Sequence, residues 1–486
     1  MKFIDVTRES LAAHAAELLG SGHRLALVAA VPDPSGFDVV YLFSHGADLV
    51  ELHLPVPGDD PRLPSIASLS FPAGRFEREM RDLYGIVPEN HPLPRRLVRH
   101  HHWPRGWYPM RDDAGPPPAF GDPEGPFPFV TVEGPGVYEI PVGPVHAGLI
   151  EPGHFRFSVV GESILKLKAR LWFVHKGIEK LFEGRAPEAG LELAERISGD
   201  TSVGHALAYC QAVESALEMA VPPQAARIRA LLLELERIYN HVTDLGALCN
   251  DVAHGILNAH AGRVRESLLR INDQVTGHRL LRGGVVVGGA RLRALPDTDA
   301  LRAIGEDVAE IVALALGHSV VLDRFAGTAV LSAQAARDLG TLGYVARASG
   351  LDVDARRDTL EGFTPVVRTS GDVLARFQVR AEEIAASIKI ITDLAGELDA
   401  ADLDHVAPLP SDVLGPAAGV GIAEGWRGTI VHRVQLDAAG ALARVKVVDP
   451  SFFNWPALPV ALSGAIVPDF PLVNKSFNLS YAGNDL

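Results

Sequence analysis

Residues 195–205 read Glu-Arg-Ile-Ser-Gly-Asp-Thr-Ser-Val-Gly-His. The stretch carries hydroxyls at Ser198, Thr201 and Ser202 and closes on His205, with no thiol. Soft transition metals want thiolates, and hydroxyls near neutral pH are poor substitutes. Thiols are scarce elsewhere too. The 486-residue chain has two cysteines, Cys210 and Cys249, far apart and in no paired spacing. That excludes a disulfide framework, and any cysteine-rich cluster or zinc site held by this chain alone. Each reads as a small buried apolar residue.

Around this stretch the composition is that of a globular protein of two or three domains, with 47% hydrophobic and 22% charged residues. A formal net charge of −15 argues against nucleic acid or anionic lipid as the main partner, because both repel it. The N-terminus lacks a signal peptide's apolar core, and no run approaches the ~18 apolar residues that span a bilayer. The expectation is a cytoplasmic protein that meets a membrane only through partners.

Upstream, residues 11–19 have helical spacing, and 24–31, 37–43 and 49–54 are β-rich runs parted by turn formers. A helix over 75–84 closes at Gly85, so the first hundred residues make a small α+β unit. Residues 112–136 shift to proline and glycine, including Pro116-Pro117-Pro118, Pro123, Pro126 and Pro128, which reads as a stiff linker and domain boundary. The domains expected are 1–111, the linker 112–136, and 137–486.

Downstream, β-type residues from Tyr138 lead to a hairpin ending at Gly161-Glu162. Pro222-Pro223 should open a long helix with apolar residues at 228, 231, 235, 238, 242 and 245, closed by Gly246. Further helices are expected over 261–276, 298–316, 333–339 and 379–397. Strands return over 422–434 and 443–448. The fold class expected is α+β, with a mainly helical large domain carrying small β elements at both ends. Three consecutive histidines, 100–102, point in different directions on any regular backbone and are not read as a metal site. Gly419-Val420-Gly421 lacks the third glycine of a dinucleotide loop.

Several motifs together carry a resemblance. Glu77-Arg78-Glu79, Asp82-Leu83-Tyr84-Gly85-Ile86, His91-Pro92 and Arg95-Arg96-Leu97 resemble the signature of the complex I C subunit. Glu151 to Phe157, His175 to Leu181, Glu234 to His241, Gly371-Asp372 and Glu424 to Gly428 resemble motifs shared by nickel–iron hydrogenase large subunits and the complex I D subunit. The 195–205 stretch resembles the hydrogenases' first metal loop, and Asp449 to Asn454 the second. The chain is thus similar, from about residue 24 to its end, to large subunits of membrane-bound, energy-converting hydrogenases of the formate hydrogenlyase type.

In that family four cysteines hold the metal. Ser198, Thr201, Ser451 and Asn454 stand in their places, so the resemblance implies the architecture without the nickel–iron centre. It also implies that Glu151, His154, His205, Arg427 and Asp449 converge, Glu151 matching a proton-passing glutamate and Arg427 an arginine beside the metal's ligands. A buried carboxylate and histidine together can shuttle protons near pH 7, or simply satisfy each other's hydrogen bonds. In complex I the matching pocket binds quinone, with a hairpin histidine near His154 and a tyrosine where this chain has Gly199.

Two functions stay open: a subunit of an oxidoreductase complex that passes electrons to a quinone-like acceptor or couples protons, and a non-catalytic scaffold that relays conformational change. No cofactor is expected on this chain beyond a quinone. Iron–sulfur clusters are expected in a small-subunit partner, membrane antiporter-like subunits as further partners, and the location is peripheral on the inner face of the cell membrane. The 77–96 motif reads as a charged network that locks its domain onto a neighbour.

Overall fold

A computed structural model describes residues 1–121, 125–146, 150–410 and 416–486. Pro123 of the expected linker, and residues 147–149 of the stretch before Glu151, lie outside the described residues.

Three apolar runs separated by turn formers make the N-terminal sheet. Arg24–Asp33, Gly36–His45 and Asp48–Pro57 pair as an antiparallel meander, and Lys2–Asp5 adds in parallel to the last. The Phe71–Tyr84 helix buries almost every residue, charged ones included, and ends at Gly85 in the left-handed region (φ 79°). Buried charge needs partners. Asp82 Oδ2 accepts the backbone N–H groups of Leu97, Val98 and Arg99, and Arg78 donates to the carbonyls of Arg95 and Arg96. Much of the charged motif therefore ties its own unit together. The neighbour it also grips is this chain's own C-terminal sheet: Lys446 Nζ lies 2.8 Å from Glu79 and 2.9 Å from Glu179. Phe76 stacks on Phe452 with ring centroids 4.6 Å apart.

The proline- and glycine-rich segment is not a free spacer. Phe127 lies under the guanidinium groups of Arg95, Arg96 and Arg170, and Phe129 under that of Arg156. Arg95 also donates to the Pro128 carbonyl. Cation–π contacts of this kind hold an extended chain by about 0.5–2 kcal/mol each. The apolar core runs continuously from the N-terminal sheet into the large unit.

The large unit opens with a three-stranded antiparallel sheet, Val137–Val142, His154–Val160 and Ser163–Arg170; Gly161-Glu162 turns between its second and third strands. The long helix spans Pro223–Asp251, past its expected end. Gly246 does not cap it. Gly246 lies inside, where a Cβ would stand 2.5 Å from the Ala261 Cβ, so glycine there lets the Gly255–Thr276 helix pack close. The Val373–Glu397 helix begins six residues before the expected start, because the Asp372 carboxylate caps it on the Ala375 N–H (2.8 Å). The strand region expected over 422–434 is a hairpin, Ala417–Gly425 and Gly428–Leu436, folded back at Trp426-Arg427, with Leu442–Val448 as the third strand. Gly419 and Gly421 have a packing role: any side chain on either would collide with the backbone of the Ser202–Ala216 helix.

At the centre lies a buried ion network. Arg347 contacts Glu383 (2.8 Å), Glu424 (2.9 Å) and Asp354 (3.1 Å). Arg356 bridges Asp354 and Glu234, Arg237 contacts Glu234, and His241 Nε2 lies 2.9 Å from Glu383. Removing one partner of such a network leaves uncompensated buried charge. Arg347→Met should therefore cost about 3–5 kcal/mol, read as a large fall in the thermal midpoint of the purified chain; an unchanged midpoint would show that the network contributes nothing net.

Candidate functional site

The 195–205 stretch joins the Pro187–Ala194 helix to the Ser202–Ala216 helix. The second helix exposes orphan N–H groups at its start, where negative charge is favoured. Glu236, from the long helix, meets them: its carboxylate accepts from Val203 N (2.6 Å) and Gly204 N (3.0 Å). Burial pushes the Glu236 pKa up to about 8, although these two hydrogen bonds pull it down.

Ser198 and Ser451 meet at Ser480 of the C-terminal tail, whereas Thr201 and Asn454 are engaged by other partners. Ser198 Oγ lies 2.8 Å from Ser480 Oγ and donates to Asp200 Oδ1 (3.0 Å). Ser451 Oγ accepts the Ser480 N–H (3.0 Å). Thr201 Oγ1 donates to Asp200 Oδ1 (3.0 Å) and accepts from the indole N–H of Trp426 (3.2 Å). Asn454 pairs both ends of its amide with the backbone of Leu342, at 2.8 and 3.1 Å. Among the described residues no three His, Cys, Asp or Glu side chains group as metal ligands.

Arg427, on the hairpin turn, makes a two-pronged pair with Asp200, Nη1–Oδ1 2.6 Å and Nη2–Oδ2 2.7 Å, and stacks 3.9 Å over Trp426. Burial opposes the Asp200 charge, but the guanidinium outweighs it and holds the carboxyl at about 2. Arg427 in turn is raised above its usual range.

His205 and Asp449 are brought into contact. His205 Nε2 lies 3.1 Å from Asp449 Oδ2, and its Nδ1 lies 3.1 Å from Nε2 of His432. All three side chains are buried, and His432 Nδ1 has no partner. Burial opposes charge on Asp449, yet the His205 hydrogen bond, the His205 charge and Arg427 bring its pKa below the ordinary value. Burial, then the charge of His205, press His432 far below the usual imidazole range, so it stays neutral. The result is a buried carboxylate–imidazole–imidazole chain in which His205 sits between the Asp449 carboxylate and a His432 ring held neutral.

Glu151 and His154 do not join that chain. Glu151 Oε2 accepts the Ala482 N–H (3.3 Å), on the tail two residues beyond Ser480. His154 Nδ1 lies 3.1 Å from the Gly143 carbonyl, and its ring faces Phe129. The Tyr481–Asp485 helix intervenes, and Gly483 lies so close to Asp449 that a Cβ there would stand 2.5 Å from its carboxylate. Asp485, also on this tail, is pushed up to about 6 by burial.

Three family models match consecutive parts of the chain: "Respiratory-chain NADH dehydrogenase, 30 Kd subunit" over residues 4–118, "Nickel-dependent hydrogenase" over 176–250, and "Respiratory-chain NADH dehydrogenase, 49 Kd subunit" over 251–411. Formate hydrogenlyase subunit 5 of Escherichia coli is 31% identical over 458 residues, covering 90% of this chain and 79% of that relative. Hydrogenase-4 component G of the same organism is 33% identical over 445 residues, covering 88% and 77%. The chain belongs to the family of complex I-related hydrogenase large subunits. A chain of the membrane-bound sulfane sulfur reductase, an archaeal respiratory membrane complex, shares the fold, with a TM-score of 0.66 at 23% identity over 72% of this chain and 99% of that one. The order of the matches puts a 30 Kd-like unit ahead of a hydrogenase- and 49 Kd-like unit in one polypeptide.

Asp200, Glu236, His432 and Ser480 are absent from the set expected from sequence. Asp200 lies inside the quoted loop and Glu236 inside a recognised motif, so both were within reach of the reading. Nothing in the sequence near His432 or Ser480 points to this site. For Asp449 the linkage sign is that of a depressed carboxyl: its stabilisation is present above the ordinary carboxylate range and is lost as pH falls through the lower folded value. Asp449→Asn should lower the thermal midpoint clearly at pH 7, with the gap to wild type closing below about pH 4; a gap constant with pH would contradict this ionisation.

Proposed function

We propose that this chain is the hydrogenase-like subunit of a membrane-associated, complex I-related oxidoreductase complex that works without a nickel–iron centre, and that its former metal-facing loops serve proton coupling. The observation that carries the reading is that all four side chains are already hydrogen-bonded within the protein. Ser198 and Ser451 both engage Ser480, Thr201 engages Asp200 and Trp426, and Asn454 engages the backbone at Leu342. Such hard, already engaged donors do not fit a soft metal.

What the loops retain is titratable. Burial moves Glu236 to about 8 and Asp485 to about 6; Glu236 accepts the N–H groups of Val203 and Gly204 next to His205, and Gly483, on the same short helix as Asp485, lies against Asp449. Groups that exchange protons near neutral pH at the wall of a redox subunit suit a coupling role. On this reading an iron–sulfur small subunit supplies electrons, and antiporter-like membrane subunits receive the charge movement. No helix among the described residues is long and apolar enough to cross a membrane, so attachment falls to those partners. A quinone-like acceptor is the second reading; Glu151 and His154, lying on the far side of the tail, favour it if the tail opens.

The decisive experiment purifies the native complex, reconstitutes it in vesicles and follows electron transfer and proton movement together. His205→Gln should keep electron transfer while the proton-to-electron ratio falls. An unchanged ratio would sink the coupling role, and stoichiometric nickel in the isolated chain would overturn the premise. Loss of quinone reduction in Glu151→Gln or His154→Ala would favour the second reading.

A further inference from the structure

A recess of about 360 Å3 lies between the Phe71–Tyr84 helix, the 127–130 segment and the Ser163–Arg170 strand, well within the size range of small-ligand sites. Its walls are apolar and aromatic, with Phe127, Phe129, Trp172 and Trp455 among them, and its charged groups share one sign, although Lys168 is paired with Glu139. Arg75, Arg78, Arg95 and Arg170 line it, with Lys166 and Lys168 at the strand; among the described residues no aspartate or glutamate does.

Arg75, Arg78 and Arg170 are buried and Arg95 is half-buried, and among the described residues none of the four makes an ion pair, the carboxylates of Glu79, Asp82 and Asp485 acting on them only from a distance. Arg75 is 8% exposed, donates once, to Asn484 Oδ1 at 3.1 Å, and rests over the rings of Phe452 and Trp172; its Nε has no partner. Arg95 Nε is likewise buried and unpartnered. Arg78 and Arg170 donate only to main-chain carbonyls of residues 95–99. Burial is the first cause of depressed pKa values at Arg75 (about 9), Arg78 (about 10) and Arg170 (about 10). Such charge is costly unless something neutralises it, and a carboxylate or phosphate does so through short, charge-assisted hydrogen bonds. The aromatic walls, in turn, gain from an apolar body laid against them.

We propose that this recess binds a single-chain amphipathic anion, its carboxylate or phosphate head on the guanidiniums of Arg75 and Arg95 and its tail along Phe127, Phe129 and Trp455. The site lies apart from the 195–205 loop and does not depend on the coupling role proposed above.

The test is calorimetric titration of the purified full-length chain with dodecanoate, dodecyl phosphate, dodecanol and inorganic phosphate, all below micelle formation. One equivalent of dodecanoate or dodecyl phosphate should bind at least about tenfold more tightly than dodecanol or inorganic phosphate; whichever anion binds better identifies the head group. Arg75→Gln should weaken that binding about tenfold. Lys166→Glu, at an exposed position that the fold does not need, should weaken it too and guards against a merely misfolded Arg75 variant. Equal binding of dodecanol and the two anions would overturn the proposal, as would wild-type affinity in a folded Arg75→Gln chain together with Lys166→Glu.

Discussion

Glu383 and the three arginines around it are the constraint on which the large unit rests. Its carboxylate receives Arg347 and His241 directly, and Arg356 and Arg237 lie 3.7 and 3.8 Å away. Those groups come from the long Pro223–Asp251 helix, the Gly343–Ala348 helix and the turn after it, while Glu383 itself lies on the Val373–Glu397 helix. Charges this deep cannot be left alone, since stripping water from an ion costs several kcal/mol unless partners replace it. Each segment is therefore held where its charge is answered. Glu424 extends the network into the C-terminal hairpin, and Arg237 donates to the carbonyls of Glu424 and Gly425.

That anchoring decides where the hairpin turn lands. With Glu424 and Gly425 fixed, Trp426 is driven into the core and Arg427 swings onto Asp200. The 195–205 loop is thereby tied to the hairpin through its own carboxylate. The C-terminal tail completes the closure, with Ser480 joining Ser198 to Ser451 and Gly483 flush against Asp449. The tail separates two polar groups that a linear reading places together: His205 and Asp449 on one side, Glu151 and His154 on the other.

Ion pairs and ring stacking join the two units. Lys446 between Glu79 and Glu179, Arg433 on Glu51 and the Phe76–Phe452 stack join the N-terminal unit to the C-terminal sheet. The segment between them is pinned by arginine–aromatic stacking.

Much of this was legible in the chain, because periodicity and punctuation are local. The apolar stripe from Ile228 to Leu245 announced the long helix, and the turn formers between residues 32 and 36 announced the first strand pair. The loop motif around Ser198 and Thr201 could be located by its neighbours alone. Glycine roles were less legible, since the sequence cannot show what approaches from outside. Gly246 reads as a helix stop, yet it is a contact point for Ala261. Convergence was the least legible. The sequence by itself determined the long helices and the main strand runs, the two-unit layout and the absence of thiols in residues 195–205 and 449–454. Only the tertiary structure decided that Asp200 takes Arg427, that His432 extends the pair of His205 and Asp449, and that Ser480 closes the space between the loops. Those pairings span some 30 to 280 residues of chain, and no local pattern encodes them. They follow from the demand that every buried charge and hydroxyl find a partner once the helices have packed.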